Sequence, residues 1–382
     1  MDALFFREAP GVIRLDHLSR REFLQWSGKG LAGLFTLALL DQMEGKERLI
    51  PAVAPASGNA LFSGGAYLTE GEVPEKGRVL DNTLSIYSRP SFSSTLVNMY
   101  WRDLVFPING VTIGDQYPVH NRVWYLINNE GYAHSGKVQP VALRYNKPMT
   151  KFTQQGMLAE VTVPYTDAVK DPNVQVKPNR FIYRLYYSTV HWILDVITDK
   201  ESQKWYRVRD DKMKMEYYVS AEHLSPIAPE DLAPISPHVP AKDKRLEIRL
   251  GEQVVVAYEG SQAMFMARVA SGGRFIDGDY TTPQGSYMTN RKRPSRHMAS
   301  EDLAAPTAYD LPGVPWVSYL TLSGISFHGT YWHNDFGKPR SHGCINLSPT
   351  AARWIYRWST PSVPYGEHTW SKDEGTQVDV IA

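Results

Sequence analysis

From residue 77 to 141 the chain alternates short apolar runs with turn residues, the period-two signature of half-buried strands. Leu84-Ser85-Ile86-Tyr87 alternates and stops at Arg89-Pro90. Val123-Trp124-Tyr125-Leu126-Ile127 is β-branched and aromatic, and Asn128-Asn129-Glu130-Gly131 then supplies a hairpin turn with glycine for positive φ. A weaker echo follows in Lys204-Trp205-Tyr206-Arg207-Val208, with Asp210-Asp211 as the turn and Tyr217-Tyr218-Val219 as the return strand. The two Trp-Tyr pairs stand 81 residues apart, which predicts a duplicated small β-barrel with Trp124 and Trp205 as core residues. Pro226, Pro229, Pro234, Pro237 and Pro240 resist both helix and sheet and predict a semi-rigid spacer. Beyond it a β-meander is expected over residues 246–250, 253–258 and 263–270, with further strands at 316–320, 325–328 and 377–381. Residues 290–315, which carry Arg291, Lys292, Arg293, Arg296 and His297, read as a loop covering a cleft. One helix stands out, opened by Ser348 as N-cap and Pro349 at its first position. Ala351, Ala352, Trp354, Ile355 and Trp358 form its apolar stripe.

The first 56 residues do not read as a domain. Ser19-Arg20-Arg21-Glu22-Phe23-Leu24-Gln25 precedes an apolar stretch over residues 30–40, too short for a membrane span of about 18–20 residues. The segment resembles a twin-arginine (Tat) export signal, with Ala52-Val53-Ala54-Pro55-Ala56 as a cleavage zone. The competing reading is an amphipathic helix that carries two adjacent arginines by chance. The segment has no cysteine, which excludes a lipoprotein anchor, so an uncleaved signal would be the membrane tether. The expected location is the periplasm or cell-wall space.

Composition narrows the function class. At 382 residues, 42% hydrophobic and 21% charged, the chain has material for two or three folded domains and is not disordered throughout. Lys+Arg at 41 against Asp+Glu at 40 leaves no basic field to grip nucleic acid, and no nucleic-acid motif is present. The chain has one cysteine, Cys344, so no internal disulfide can form, and a lone thiol in an exported protein is a liability unless it is buried or reactive.

The chemistry-bearing stretch is Phe327-His328-Gly329-Thr330 followed by Ser341-His342-Gly343-Cys344-Ile345-Asn346-Leu347. A thiol becomes a strong nucleophile when an imidazole takes its proton. A strand end fixes such an imidazole, and a glycine-flanked loop lets a nucleophile stand proud with backbone N–H groups facing the attacked carbonyl. This pattern resembles the signature of the L,D-transpeptidase catalytic domain (YkuD-like family): a histidine, a spacer, then Ser/Thr-His-Gly-Cys-hydrophobic-Asn/Arg. The resemblance covers about residues 244–381 and includes the Thr282-Pro283-Gln284-Gly285 turn. The spacer here, residues 329–340, is short for the family and contains Tyr331, Trp332, His333 and Asp335.

The resemblance implies Cys344 as nucleophile, His328 as general base and Gly329 as the backbone group that orients it. It implies His342 and Gly343 as oxyanion-hole backbone, and Ser341, Asn346, Arg340 and Tyr319 as substrate-binding positions. It implies attack on the third residue of a peptidoglycan stem tetrapeptide, loss of D-alanine and transfer to an amine in a 3→3 cross-link. Water as acceptor would make an L,D-carboxypeptidase, and a protein amine a protein-to-wall ligase. Acylation by carbapenems is also implied, with no metal or organic cofactor. A zinc site on His328, His333, His342 and Cys344 has the right ligand types but lacks finger spacing. His333 is expected at the surface or rim. The basic run 291–296 is either a solvated loop or a reader of stem carboxylates. A non-catalytic wall-binding scaffold is the rival of another class, opposed by the intact His328 and Cys344.

The expected fold is mainly β. The segments are a signal (1–56), a linker (57–76), two small β-barrel-like domains resembling bacterial Src-homology-3 domains (77–145 and 146–226), a proline-rich linker (227–243), and a β-sandwich-like catalytic domain with one helix after the nucleophile loop (244–382). The barrels are candidates for wall binding.

Overall fold

The computed structural model describes residues 62–63, 66–67, 74–153, 156–174, 181–303 and 308–382. The twin-arginine segment lies outside the described residues. Among the described residues, no helix is long and apolar enough to cross a membrane.

The first sheet has seven strands: β1 (Lys76–Val79), β2 (Thr83–Tyr87), β3 (Leu96–Trp101), β4 (Val105–Ile113), β5 (Val123–Ile127), β6 (Gly131–His134) and β7 (Val138–Val141), in the order β3-β2-β6-β5-β4-β1-β7. Leu84, Ile86, Tyr125 and Ile127 form its core by strict alternation. The second unit contains β8 (Met157–Val161), β9 (Tyr165–Ala168), β10 (Tyr183–Tyr186), β11 (Val190–Thr198), β12 (Lys204–Arg209), β13 (Glu216–Ser220) and β14 (Leu224–Pro226). Its main sheet runs β13-β12-β11-β8-β14, and β9 pairs with β10. In both units a hairpin is followed by one 3₁₀ turn and a short strand, Ser135–Lys137 before β7 and Ala221–His223 before β14. The Trp-Tyr echo holds only for the tyrosines. Tyr125 and Tyr206 are fully buried, as is Trp124. Trp205, expected in the core, is half-exposed and donates its indole N–H to Asp199 Oδ2 at 2.8 Å.

The third unit is built on one mixed eight-stranded sheet. Its elements are β15 (Lys244–Arg249), β16 (Val254–Glu259), β17 (Gln262–Arg268), the short pair β18 (Arg274–Phe275) and β19 (Gly278–Asp279), β20 (Gly285–Ala299), β21 (Asp310–Tyr319), β22 (Ser326–Gly329), β23 (Ile345–Leu347), helix α1 (Pro349–Trp358) and β24 (Trp370–Ile381). The order in the large sheet is β17-β16-β15-β24-β20-β21-β22-β23. Helix α1 begins as its sequence dictates, with Ser348 accepting the Ala351 N–H at 3.2 Å. Its carbonyl end is met by two lysines. Lys292 Nζ donates to Tyr356 O (2.9 Å) and Ser359 O (2.5 Å), and Lys244 Nζ to Trp358 O (2.9 Å). Donors at that end oppose the helix dipole and satisfy carbonyls that lack an intrahelical partner.

Two expectations fail here for one reason. Residues 290–315 are largely strand: β20 and β21 pair from Arg291↔Tyr319 to Ala299↔Asp310. The basic run looked like a loop because its polar positions have partners far away in sequence. Arg293 and Arg296 reach Asp211 Oδ2 at 3.1 and 2.5 Å, and Arg291 stacks 4.0 Å over the Tyr319 ring. The proline-rich stretch, expected as a spacer, is docked: Ile235 N–H bonds Arg357 O and Arg357 Nε bonds Ala233 O, against the end of α1. The core continues across this junction. Leu158, Val190, Trp192 and Ile227 belong to the same buried cluster as Leu246, Ile248, Phe327, Ile345 and Ile355.

Candidate active site

Strands β22 and β23 pair in parallel with Phe327 opposite Ile345 and His328 opposite Asn346. Because strand side chains alternate, Ser326 and His328 share a face with Asn346 and with Cys344, which stands just before β23. The Ser326 hydroxyl lies 3.8 Å from Cys344 Sγ, and the thiol also faces Gly324 O at 3.8 Å. His328 is therefore the diagonal neighbour of the thiol, a separation that a long side chain spans. His328 Nδ1 is 3.1 Å from Gly329 O. A carbonyl only accepts, so Nδ1 carries the proton and Nε2 is left as the acceptor. The Trp332 ring stands 5.7 Å from the imidazole.

Burial sets the protonation of the pair. His328 is lowered to about 4 by desolvation, which outweighs the upward pull of its bond to Gly329. Cys344 is only partly covered as a residue, yet the surroundings of its sulfur push the thiol upward, against the Ser326 N–H and hydroxyl that favour the thiolate. At neutral pH the resting pair is thiol and neutral imidazole, and the base is ready to take a proton.

The nucleophile loop is fixed by a relay of hydroxyls. Ser341 Oγ accepts the Gly343 N–H at 3.2 Å and donates to Cys344 O. Thr282 Oγ1 accepts the Gly272 N–H at 2.9 Å and donates to Gly343 O at 2.8 Å, fully buried. Gly343 sits at φ +115°, where only glycine is unstrained. The Gly343 N–H, expected as an oxyanion donor, is thus already engaged by Ser341.

The remaining expected residues fall in three places. His342 turns its half-exposed imidazole outward, 4.3 Å edge-on to Tyr280 and 3.8 Å from Asp277 Oδ2, so only its backbone belongs to the loop. Asn346 is buried, its amide 3.0 Å from His333 Nε2. Arg340 is 3.0 Å from Asp335 Oδ2, and Tyr319 is 9% exposed beneath Arg291. His333, expected at the rim, is buried instead, and Asp335 N–H reaches its Nδ1 at 3.3 Å. Desolvation, helped by Arg340, lowers it to about 3. The spacer is held from outside the third unit. His120 Nε2 meets Asp335 Oδ1 at 2.8 Å, and Asn334 N–H meets Gly136 O at 3.2 Å. Among the described residues no group of three or more His, Cys, Asp or Glu is arranged to hold a metal ion.

Sequence reasoning missed Ser326 and Thr282. The first was readable, two residues before His328 on the same strand face. The second sits in a motif read only as a turn, because its partner Gly343 is 61 positions away.

Residues 243–380 match the family model of the L,D-transpeptidase catalytic domain (YkuD). The match occupies the last third of the chain. YciB of Bacillus subtilis, an L,D-transpeptidase by name, is 26% identical over 143 residues, which is 35% of this chain and 66% of that protein. Among solved structures, an Enterococcus faecium L,D-transpeptidase is similar over 36% of this chain and 50% of its own at 21% identity and TM-score 0.28. One from Mycobacterium smegmatis is similar over 48% and 80% at 20% identity and TM-score 0.30. LdtMt1 in complex with imipenem is similar over 63% and 100% at 16% identity and TM-score 0.30.

Proposed function

We propose that this chain is an exported peptidoglycan L,D-transpeptidase that works through a thioester on Cys344. The observation that carries the reading is the placement of Cys344 just before β23, which pairs in parallel with the strand of His328, whose tautomer is set by Gly329 O, within residues that match the L,D-transpeptidase catalytic domain. As the sulfur bonds the carbonyl carbon of the third stem residue, the thiol proton passes to His328 Nε2. The Nδ1–H bond to Gly329 O stabilises the imidazolium that forms. With Gly343 N–H engaged, the Cys344 N–H is the donor beside the nucleophile for the developing oxyanion, an effect worth about 3 kcal/mol. Collapse breaks the C–N bond, and the leaving D-alanine amine takes the proton from His328. An amine of a second stem then attacks the thioester, gives its proton to His328 and expels the sulfur, which recovers the proton. The twin-arginine segment supports delivery to the periplasm or cell-wall space, where such stems are found.

The test is an intact-mass measurement after incubation with a carbapenem, on the parent and on Cys344→Ala. With a single cysteine in the chain, one adduct on the parent and none on the variant is the expected result. A folded parent without an adduct overturns the reading.

A further inference from the structure

The spacer that joins β22 to the nucleophile loop, residues 329–340, is gripped by the first β unit at three points. Arg78 on β1, 2% exposed, donates to Tyr331 O at 3.1 Å, while Gln139 and Asp103 of its own unit hold the rest of the guanidinium. Asn334 donates its backbone N–H to Gly136 O and its side-chain amide to Ser135 O at 3.3 Å. His120 Nε2 meets Asp335 Oδ1, and the His120 carbonyl is in turn bonded by Arg268 of β17. The other oxygen of Asp335 takes Lys338 at 2.7 Å and Arg340 at 3.0 Å. The approach at Asp335 is so close that a Cβ on Gly136 would stand 2.9 Å from Oδ1.

This grip fixes His333, which lies between Asn334 and the Trp332 ring beside His328 and packs its own ring 5.1 Å from Phe336. The hydrogen bonds of His333 decide more than its place. Its Nδ1 accepts the Asp335 N–H at 3.3 Å, so the neutral ring carries its proton on Nε2. That nitrogen lies 3.0 Å from the side-chain amide of Asn346. A protonated Nε2 only donates, so hydrogen-bond complementarity assigns the amide oxygen to the His333 side and leaves the NH2 as the other end. Asn346 stands opposite His328 in the β22–β23 register and two residues after Cys344, on the same strand face.

We infer that His333 is a positioning residue: held by the grip of the first β unit on Asp335, it takes the Asn346 oxygen and leaves the Asn346 NH2 as a donor for a carbonyl oxygen of the acyl donor bound at Cys344. The first β unit thereby shapes the site through the spacer. The inference rests on the reading of Cys344 as an acylating nucleophile.

The lone cysteine lets a carbapenem and iodoacetamide report on one position. Both rates and melting curves are measured on the full chain for the parent, His333→Gln, His333→Leu, Gly136→Ala, the partly exposed His120→Ala, and the double variant His120→Ala/His333→Leu. Glutamine puts an amide nitrogen where Nε2 stands and should keep carbapenem acylation within about threefold of the parent, whereas leucine should lower it about tenfold or more. His120→Ala and Gly136→Ala should each slow acylation by about threefold or more. The double variant should match His333→Leu within about twofold, because both changes act through one contact. Iodoacetamide needs no amide donor, so alkylation should stay within about twofold throughout. Folded His333→Leu that acylates at the parent rate overturns the inference. So do multiplicative losses in the double variant, or alkylation that falls in step with acylation. Histidine ¹⁵N NMR gives a test free of acylation: the ring signal missing from His333→Gln should be a neutral Nε2–H tautomer, and an Nδ1–H tautomer overturns the assignment of the Asn346 amide. A parent that takes no carbapenem sinks the transpeptidase reading and the acyl-donor role with it, while the tautomer still decides whether His333 orients Asn346.

Discussion

Replacing Thr282 by valine removes one oxygen and nothing else of consequence from the nucleophile loop. The hydroxyl is buried and double-ended, accepting from Gly272 N–H and donating to Gly343 O. Valine fills the same volume but leaves a buried donor and a buried acceptor without partners, at about 1–3 kcal/mol each. The added methyl returns about 1 kcal/mol of apolar burial. The net loss is about 1–5 kcal/mol, read as a fall in melting temperature. The kinetic effect is larger in consequence. Gly343 precedes Cys344 directly, and a displacement of about 1 Å at a reacting atom costs on the order of a hundredfold in rate. Carbapenem acylation of Thr282→Val, measured well below its melting temperature, should fall about 10- to 100-fold. Thr282→Ser keeps the oxygen and should stay within about threefold of the parent. A valine variant that acylates at the parent rate would refute the idea that this hydroxyl positions the thiol.

Gly272→Ala attacks the same loop by volume: a Cβ there would stand 2.7 Å from Gly343 Cα and 2.8 Å from Gly343 N, so acylation should drop by about a hundredfold or more in a rate assay. With His328 lowered to about 4, the acylation rate should hold down to pH 5 and lose its acid limb near pH 4, whereas a midpoint near the ordinary histidine value of about 6.5 would contradict the buried neutral base. Stability should respond in the same direction. His191 and His333 are both lowered to about 3 by desolvation, so the unfolded chain binds more protons below about pH 6.5. Their contribution is complete above that pH and is lost as pH falls toward 3, seen as a falling urea midpoint that His191→Gln should flatten.

How much of this was legible depends on how local each signal was. The helix start at Ser348-Pro349 and the strand placing His328 are written in consecutive residues, and they were readable as such. The β20 strand was not, because its polar positions answer to Asp210 and Asp211, more than eighty residues earlier. His333 looked like a rim residue for the same reason. What buries it is Asn346, Phe336 and a spacer pinned by His120. Trp205 misled in the opposite sense: the repeat preserved its identity but not its depth, and Asp199 holds it half-exposed.

The shared cluster beneath the docked proline-rich stretch bears on modularity. Cutting the chain at residue 243, where the family match begins, would not release a self-contained unit. It would strip Trp192, Val190, Leu158 and Ile227 from the packing around Leu246 and Ile248, and it would take Asp210 from His297. The excised piece would show water a raw apolar face and a histidine with half its anchorage. A boundary drawn from sequence similarity and a boundary drawn from cohesion therefore fall in different places in this chain.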